Sequence, residues 1–319
     1  MRLLGLACGQ QDGSAEVLLK AALTAAAREG AAVEMVRLTD LSLVTAATAD
    51  AGDDAAWFCD RLLDADGVIV SSPTYTRSAP GALKLLIDRA FGPRTDVVFV
   101  REALARGEHG RAEQEHGRAE QKETRGLLGL DTAPDPRVLK PRVAGFIAVG
   151  GCPSPHWRTL TLPTLHALAF PLHMAVADQM EVPTPGGLGG IATDPAAVLR
   201  AERLGGAVAR QLGLPHDEVR FLGEPGTCPM CHLDLIVLRG GRAECGTCGA
   251  AGRFVVEDGD VRVDFSPADT ASSVHTLTEL EEHYRELLSA AALEPDPQEI
   301  DKHAAAFRDS VPVLRPPRP

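Results

Sequence analysis

Aromatic side chains are scarce in this sequence: Phe, Trp and Tyr make up 4% of its 319 residues. A core of that composition must be filled by Leu, Val, Ile and Ala. Positive charge is short as well. A net charge of −12 weighs against a nucleic-acid or anionic-membrane surface as the working face. No apolar run approaches the length that spans a bilayer. The opening "MRLLGLACGQ" lacks a small-residue cleavage site behind a proper apolar region. It reads as a first strand and not a secretory leader, and the expected setting is cytoplasmic. Cysteine is too irregular for a disulfide framework. Of seven, Cys8, Cys59 and Cys152 are scattered and four fall in two CxxC pairs, a pattern suited to a reducing compartment and a metal.

What is present is an alternation. "RLLGLA" (2–7), "AVEMVRL" (32–38), "GVIVSS" (67–72), "RVAGFIAVGG" (142–151) and "HMAVADQMEV" (173–182) are short apolar runs of strand length. Between and after them lie helical patterns over 14–29, 53–65, 80–91, 157–170 and 194–213, with Pro163 required in a first turn or at a kink. Strands crossed by helices predict a parallel sheet covered on both faces. Five such strands suit an α/β, flavodoxin-like order 2-1-3-4-5. Residues 92–141 interrupt the rhythm and contain "EHGRAEQ" twice, at 108–114 and 115–121. The repeat carries no apolar seam, so about 101–135 reads as a solvated, mobile insertion. A lid is the functional alternative.

After residue 213 the character changes. Cys228, Cys231, Cys245 and Cys248 enclose "HLDLIVLRGGRAE", strand-like residues around a Gly-Gly turn. That spacing fits a tetrahedral four-thiolate site on a ribbon hairpin. Zinc is the favoured ion, and a rubredoxin-type iron centre is the alternative. His232 is read as an exposed neighbour and not a fifth ligand. The expected units are 1–213, 223–265 for the metal module, and 270–319 for terminal helices (275–291 and 297–308) and tail.

In an open parallel sheet, ligands bind beyond the carboxyl ends of the strands. Three loops reach that edge. "ACGQQDGSAEVLLK" (7–20) leads into a helix whose N–H groups can face an anion; an ordinary turn capped by Ser14 is the plainer reading. "SSPTYTRSAPGALKLLIDR" (71–89) offers Pro and Tyr to a flat ring, or a rigid turn. "GGCPSPHW" (150–157) permits close backbone approach, with Cys152 and His156 nearby.

Taken together, "SSPTYTRSAPGALKLLIDR", "DDAAWFCDRLLDADGVIVSSP" and the glycine pair after the fourth strand resemble the NADPH-dependent FMN reductase family of flavodoxin-like proteins. The resemblance covers roughly 1–213 less the insertion. It implies noncovalent FMN, with Gln10, Gly13, Ser14 and Ala15 around the phosphate. Pro73, Thr74, Tyr75 and Thr76 would line the isoalloxazine, and Gly150 and Gly151 would close the third side. It also implies hydride from NADPH or NADH, a small organic acceptor, flavin or protein downstream, and a homodimer. The first loop departs from the family: Cys8, Gln10, Ser14 and Ala15 stand where a cation and a further hydroxyl are usual. "LVTAATADAGDD" lacks the cysteines of the family's iron–sulfur branch. Two other readings stay open. One is a flavodoxin-like interaction module without flavin; the other is a flavin and iron electron carrier.

Overall fold

The computed structural model describes residues 1–45, 53–109, 134–184, 189–291, 296–308 and 310–311. The first half of the chain alternates β1 (Arg2–Ala7), α1 (Ser14–Arg28), β2 (Ala32–Arg37), α2 (Ala55–Asp64), β3 (Gly67–Pro73), α3 (Gly81–Ala90) and α4 (Val97–His109). Then follow β4 (Val143–Gly150), α5 (Thr161–His166), β5 (Ala175–Pro183) and α6 (Pro195–Ala209). The five strands pair in parallel in the order β2-β1-β3-β4-β5. This is the flavodoxin-like order expected from the strand pattern.

Both faces of the sheet are covered, which is why its strands read as continuous apolar runs. Leu4, Leu6, Val68, Val70 and Phe146 point to one side and meet Phe58, Leu62, Leu83 and Leu86 of α2 and α3. Leu3, Ile69, Val143 and Ile147 point to the other and meet Leu18, Leu19, Leu204 and Val208 of α1 and α6. The stretch 157–170 is more broken than its pattern suggests. It comprises a 3₁₀ turn at Pro155–Trp157, the short α5 and a second 3₁₀ turn at Phe170–Leu172. Pro163 sits in the first turn of α5, and Pro171 removes an N–H that a longer helix would need.

Within the segment that interrupts the rhythm, α4 buries Val98, Phe99 and Val100. Phe99 meets Tyr284 edge-on, with ring centroids 4.7 Å apart. Residues 110–133, which hold most of the repeat, lie outside the described residues.

A second sheet is antiparallel: β6 (Ile236–Arg239), β7 (Arg242–Cys245), β8 (Ala251–Glu257) and β9 (Asp260–Asp264) in sequence order. Gly240 and Gly241, with φ of 56° and 81°, make the two-residue turn between β6 and β7. The chain continues through α7 (Pro267–Thr270), α8 (Leu277–Ala291) and α9 (Pro297–Arg308). Among the described residues no helix is long and apolar enough to cross a membrane.

Candidate cofactor loops and four-cysteine centre

The three loops proposed from sequence meet at the carboxyl edge of the sheet. A Cβ on Gly9 would lie 3.3 Å from the Pro73 ring, so the first and second loops touch. Thr74 donates its N–H to Val149 O at 2.8 Å, joining the second to the end of β4. Thr184, just past β5, donates to Gly150 O at 2.7 Å. Gln10, Gly13, Ser14, Ala15, Pro73–Thr76, Gly150 and Gly151 therefore belong to one rim.

The first loop suits an anion through its backbone. Gly13 caps α1 with no side-chain hydrogen bond. Among the described residues, the N–H groups of Ser14, Ala15 and Glu16 have no acceptor. A fifteen-residue helix with uncapped N–H groups is an anion cradle. Ser14 is thus not the cap that the plainer reading assigned. Cys8 is not a ligand here. It is buried, its N–H bonds Ser71 O at 2.9 Å, and burial pushes its thiol up. Among the described residues, two cations reach the first turn of α1, and both are occupied. Arg37 forks onto Glu16 at 2.8 and 3.0 Å, and Lys20 meets it at 2.6 Å. Bonding to Arg37, opposed by burial and aided by Lys20, holds the Glu16 carboxyl down at about 2.

The second loop is strained and braced. Tyr75 and Ser78 close a tight hairpin through N–H to O bonds of 2.7 and 3.1 Å. Its two central residues, Thr76 and Arg77, have φ of 49° and 73°, a region that disfavours side chains with a Cβ. Such conformations cost on the order of 1–3 kcal/mol each and persist where surrounding bonds over-determine them. Here Arg77 Nε donates to His156 O at 3.0 Å, and Leu160 N–H donates to Arg77 O at 3.1 Å. Thr74 and Thr161 share a hydroxyl bond of 2.7 Å, and Ser78 and Thr164 one of 2.9 Å. Tyr75 is left half-exposed above the rim.

Cys152 and His156 enter the third loop through their carbonyls and not as a reactive pair. Cys152 O accepts from Arg158, and His156 O accepts from Arg77. Arg158, which the sequence did not single out, is buried and bonds Glu181 at 2.8 Å.

The four cysteines converge as their spacing requires. All four sulfurs lie within 4.8 Å of one another and are buried. Cys228 and Cys248 sulfurs are 3.5 Å apart, and those of Cys231 and Cys245 are 3.4 Å apart. A tetrahedral ion with metal–sulfur bonds of about 2.3 Å would put sulfurs about 3.8 Å apart, so the set fits one ion. Hydrogen bonding to Cys228, with Cys245 acting in the same direction, pushes the Cys231 and Cys248 thiols up. A cation would relieve that crowding. His232 is not exposed as expected. It is half-buried and stacked on Phe221 at 3.7 Å, with φ of 57°.

Between β5, α5, α6 and the residues after Cys231 lies a cleft of about 590 Å³. Pro155 and Thr159 line one side, and Leu233 and Leu235 line the other.

A five-stranded parallel sheet with ligand loops at its carboxyl edge defines the flavodoxin-like class. Comparison with known proteins narrows it. The profile described as NADPH-dependent FMN reductase matches residues 1–116. Over 308 residues the chain is 31% identical to flavone synthase cfoJ of Aspergillus candidus, covering 90% of this chain and 88% of that one. A solved structure described as flavone reductase superposes with a TM-score of 0.76 at 27% identity, over 99% of this chain and 100% of its own. The chain belongs to the NADPH-dependent FMN reductase family, and it is an enzyme of that family.

Proposed function

We propose that this enzyme binds FMN on the rim of Gln10–Ala15, Pro73–Thr76 and Gly150–Gly151, takes hydride from NADPH or NADH, and exchanges it with a flavone-type carbon–carbon double bond. The observation that carries this reading is the length of the likeness. The general family profile stops at residue 116, whereas the flavone reductase match runs through the four-cysteine region to the terminal helices. Bound flavin would supply the hydride relay. The chain supplies an anion cradle at α1, a braced hairpin beside the ring, and backbone N–H groups along the edge.

The cleft of about 590 Å³ is of a size that holds a small aromatic ligand. Its lining by both Pro155 and Leu233 would make the metal module part of the acceptor's pocket. We take the module's ion to be zinc, with iron the alternative, and 223–265 as its boundary. A homodimer belongs to the same reading, with Trp57, Trp157 and Leu160 as exposed apolar surface.

The test is anaerobic. Protein reconstituted with FMN is mixed with NADPH or NADH, and then with a flavone. Bleaching of the flavin by nicotinamide, and its return with consumption of the flavone, is the expected result. Bleaching that returns only with free flavin or oxygen would leave a flavin reductase without this substrate class. A protein that never takes up FMN would remove the reading altogether.

A further inference from the structure

Helix α5 has six residues and spans about 9 Å. Its two ends are bonded to different functional regions. At its start, Thr161 holds Thr74 at 2.7 Å, and one turn on Thr164 holds Ser78 at 2.9 Å. At its end, His166 Nε2 meets Gln179 Oε1 at 2.8 Å. The Gln179 amide nitrogen donates to Cys231 O and His232 O, both at 2.9 Å. A continuous set of bonds thus runs from a cysteine of the four-sulfur cluster to the hairpin beside the proposed flavin ring.

From the Cys231 and His232 carbonyls to His275, the direction of each proton is fixed by chemistry. Carbonyls only accept, so the NH₂ of Gln179 must face Cys231 and His232, and its oxygen must face His166. His166 therefore carries its proton on Nε2. Its Nδ1 accepts from His275 Nε2, 3.0 Å away. His166, Gln179 and His275 are all buried. The segment carrying His275 is bonded to the module as well, since Val274 donates to Cys248 O at 2.8 Å. A half-satisfied buried network is costly, so loss of either carbonyl position is felt along its length.

We propose that Gln179 and His166 are positioning residues that couple occupancy of the four-cysteine centre, through α5, to the hairpin Thr74–Ser78. This rests on the reading that the hairpin faces flavin. With the centre loaded, thiolate ligation pins the knuckle, and the carbonyls of Cys231 and His232 stay where Gln179 needs them. With the centre empty, the small module has no comparable restraint. Gln179 loses its acceptors, His166 loses its anchor, and α5 no longer holds the Thr74 and Ser78 hydroxyls that brace the strained turn from outside.

The experiment uses the full-length protein and two readouts, backbone hydrogen exchange at 74–78 and 160–166, and the dissociation constant for FMN. Besides a chelated Gln179→Met, four samples are compared: the zinc-loaded protein, the same protein after chelation, zinc-loaded Gln179→Met, and zinc-loaded Thr161→Val, which cuts the far end. Exchange at 74–78 should quicken, and FMN affinity should fall, by about tenfold in the last three samples. Chelation of Gln179→Met should add less than about twofold. Thr161→Val should retain its zinc and slow exchange at His166.

Unchanged exchange at 74–78 after chelation of the native chain would overturn the proposal. So would a zinc-loaded Gln179→Met that behaves as the native chain and responds equally to chelation. Should Gln179→Met fail to fold, chelation of the native chain and Thr161→Val still decide. If the exchange pattern appears but no sample binds FMN, the flavin reading fails and the coupling stands. If FMN binds and exchange is indifferent to zinc, the reverse holds.

Discussion

A Cβ on Gly150 would lie 2.6 Å from Cγ of Arg158. The glycine is needed for room and not for an unusual φ. The arginine's stem crosses the end of β4, and its guanidinium bonds both Glu181 and Cys152 O. Gly150→Ala should therefore push Arg158 off these partners and loosen the third loop. We expect a stability loss of about 1–3 kcal/mol, as for other overpacked sites, read as a lower urea midpoint. FMN affinity should fall in the same variant. A variant as stable as the native chain would show that Arg158 moves aside freely.

Gly205 plays the matching part on the opposite face. A Cβ there would lie 2.7 Å from Cα of Ala22, so α6 and α1 touch backbone to backbone. Gly205→Ala would gain helix propensity, about 1 kcal/mol at most. Forcing the two helices apart along a packed core face costs about 1–3 kcal/mol or more. The steric term wins, and the variant should melt earlier by differential scanning calorimetry. A higher melting temperature would contradict the close approach.

His173 and His216 stack with ring centroids 3.8 Å apart, remote from the four cysteines in sequence. Burial, reinforced by the neighbouring His216, lowers His173 to about 4, and burial lowers His216 as well. Unfolded histidine titrates near 6.5. As pH falls below that value the unfolded chain takes up protons that the folded pair refuses. Stability from this pair is complete above about 6.5 and is lost progressively down to about 4. His173 also has φ of 47°, which Asn tolerates best among non-glycine residues. In His173→Asn, the urea midpoint should depend less steeply on pH between those limits. An unaltered slope would mean that other groups carry the acid sensitivity.

Much of this was legible in the sequence, for identifiable reasons. The parallel sheet announced itself because strands such as "GVIVSS" are buried on both faces. The four cysteines announced themselves because metal ligation demands local spacing. The three loops could be placed at one edge of the sheet because the strand order fixes which loops leave its carboxyl ends. Arg158, Thr161, His166 and Gln179 were missed because their roles are set by pairing across distant segments. Gln179 reaches Cys231 and His232 more than fifty positions away, a relation no periodicity encodes. His166 left one trace: a polar side chain among Leu162, Leu165 and Leu168 on a buried face. The break-up of 157–170 was half visible, in Pro163 and Pro171.

The antiparallel module has little besides sulfur at its centre. Cys228, Cys231, Cys245 and Cys248 are buried with Ala250, while Met230, Leu233, Ile236, Phe265 and Val274 pack only from the fringe. Phe254, Val256 and Val261 of β8 and β9 face outward. Apolar burial of that extent does not offset the ordering of a four-stranded sheet, so we expect metal ligation to supply the difference. Chelation, or Cys245→Ser, should open β6–β9 to limited proteolysis between 236 and 264. The five-stranded sheet has its own two-sided core and should resist under the same conditions. Elemental analysis before chelation should return about one ion per chain. Module strands that stay protected without metal would mean that the thiols and their fringe suffice. The four-sulfur cluster would then be a packing feature and not a metal centre.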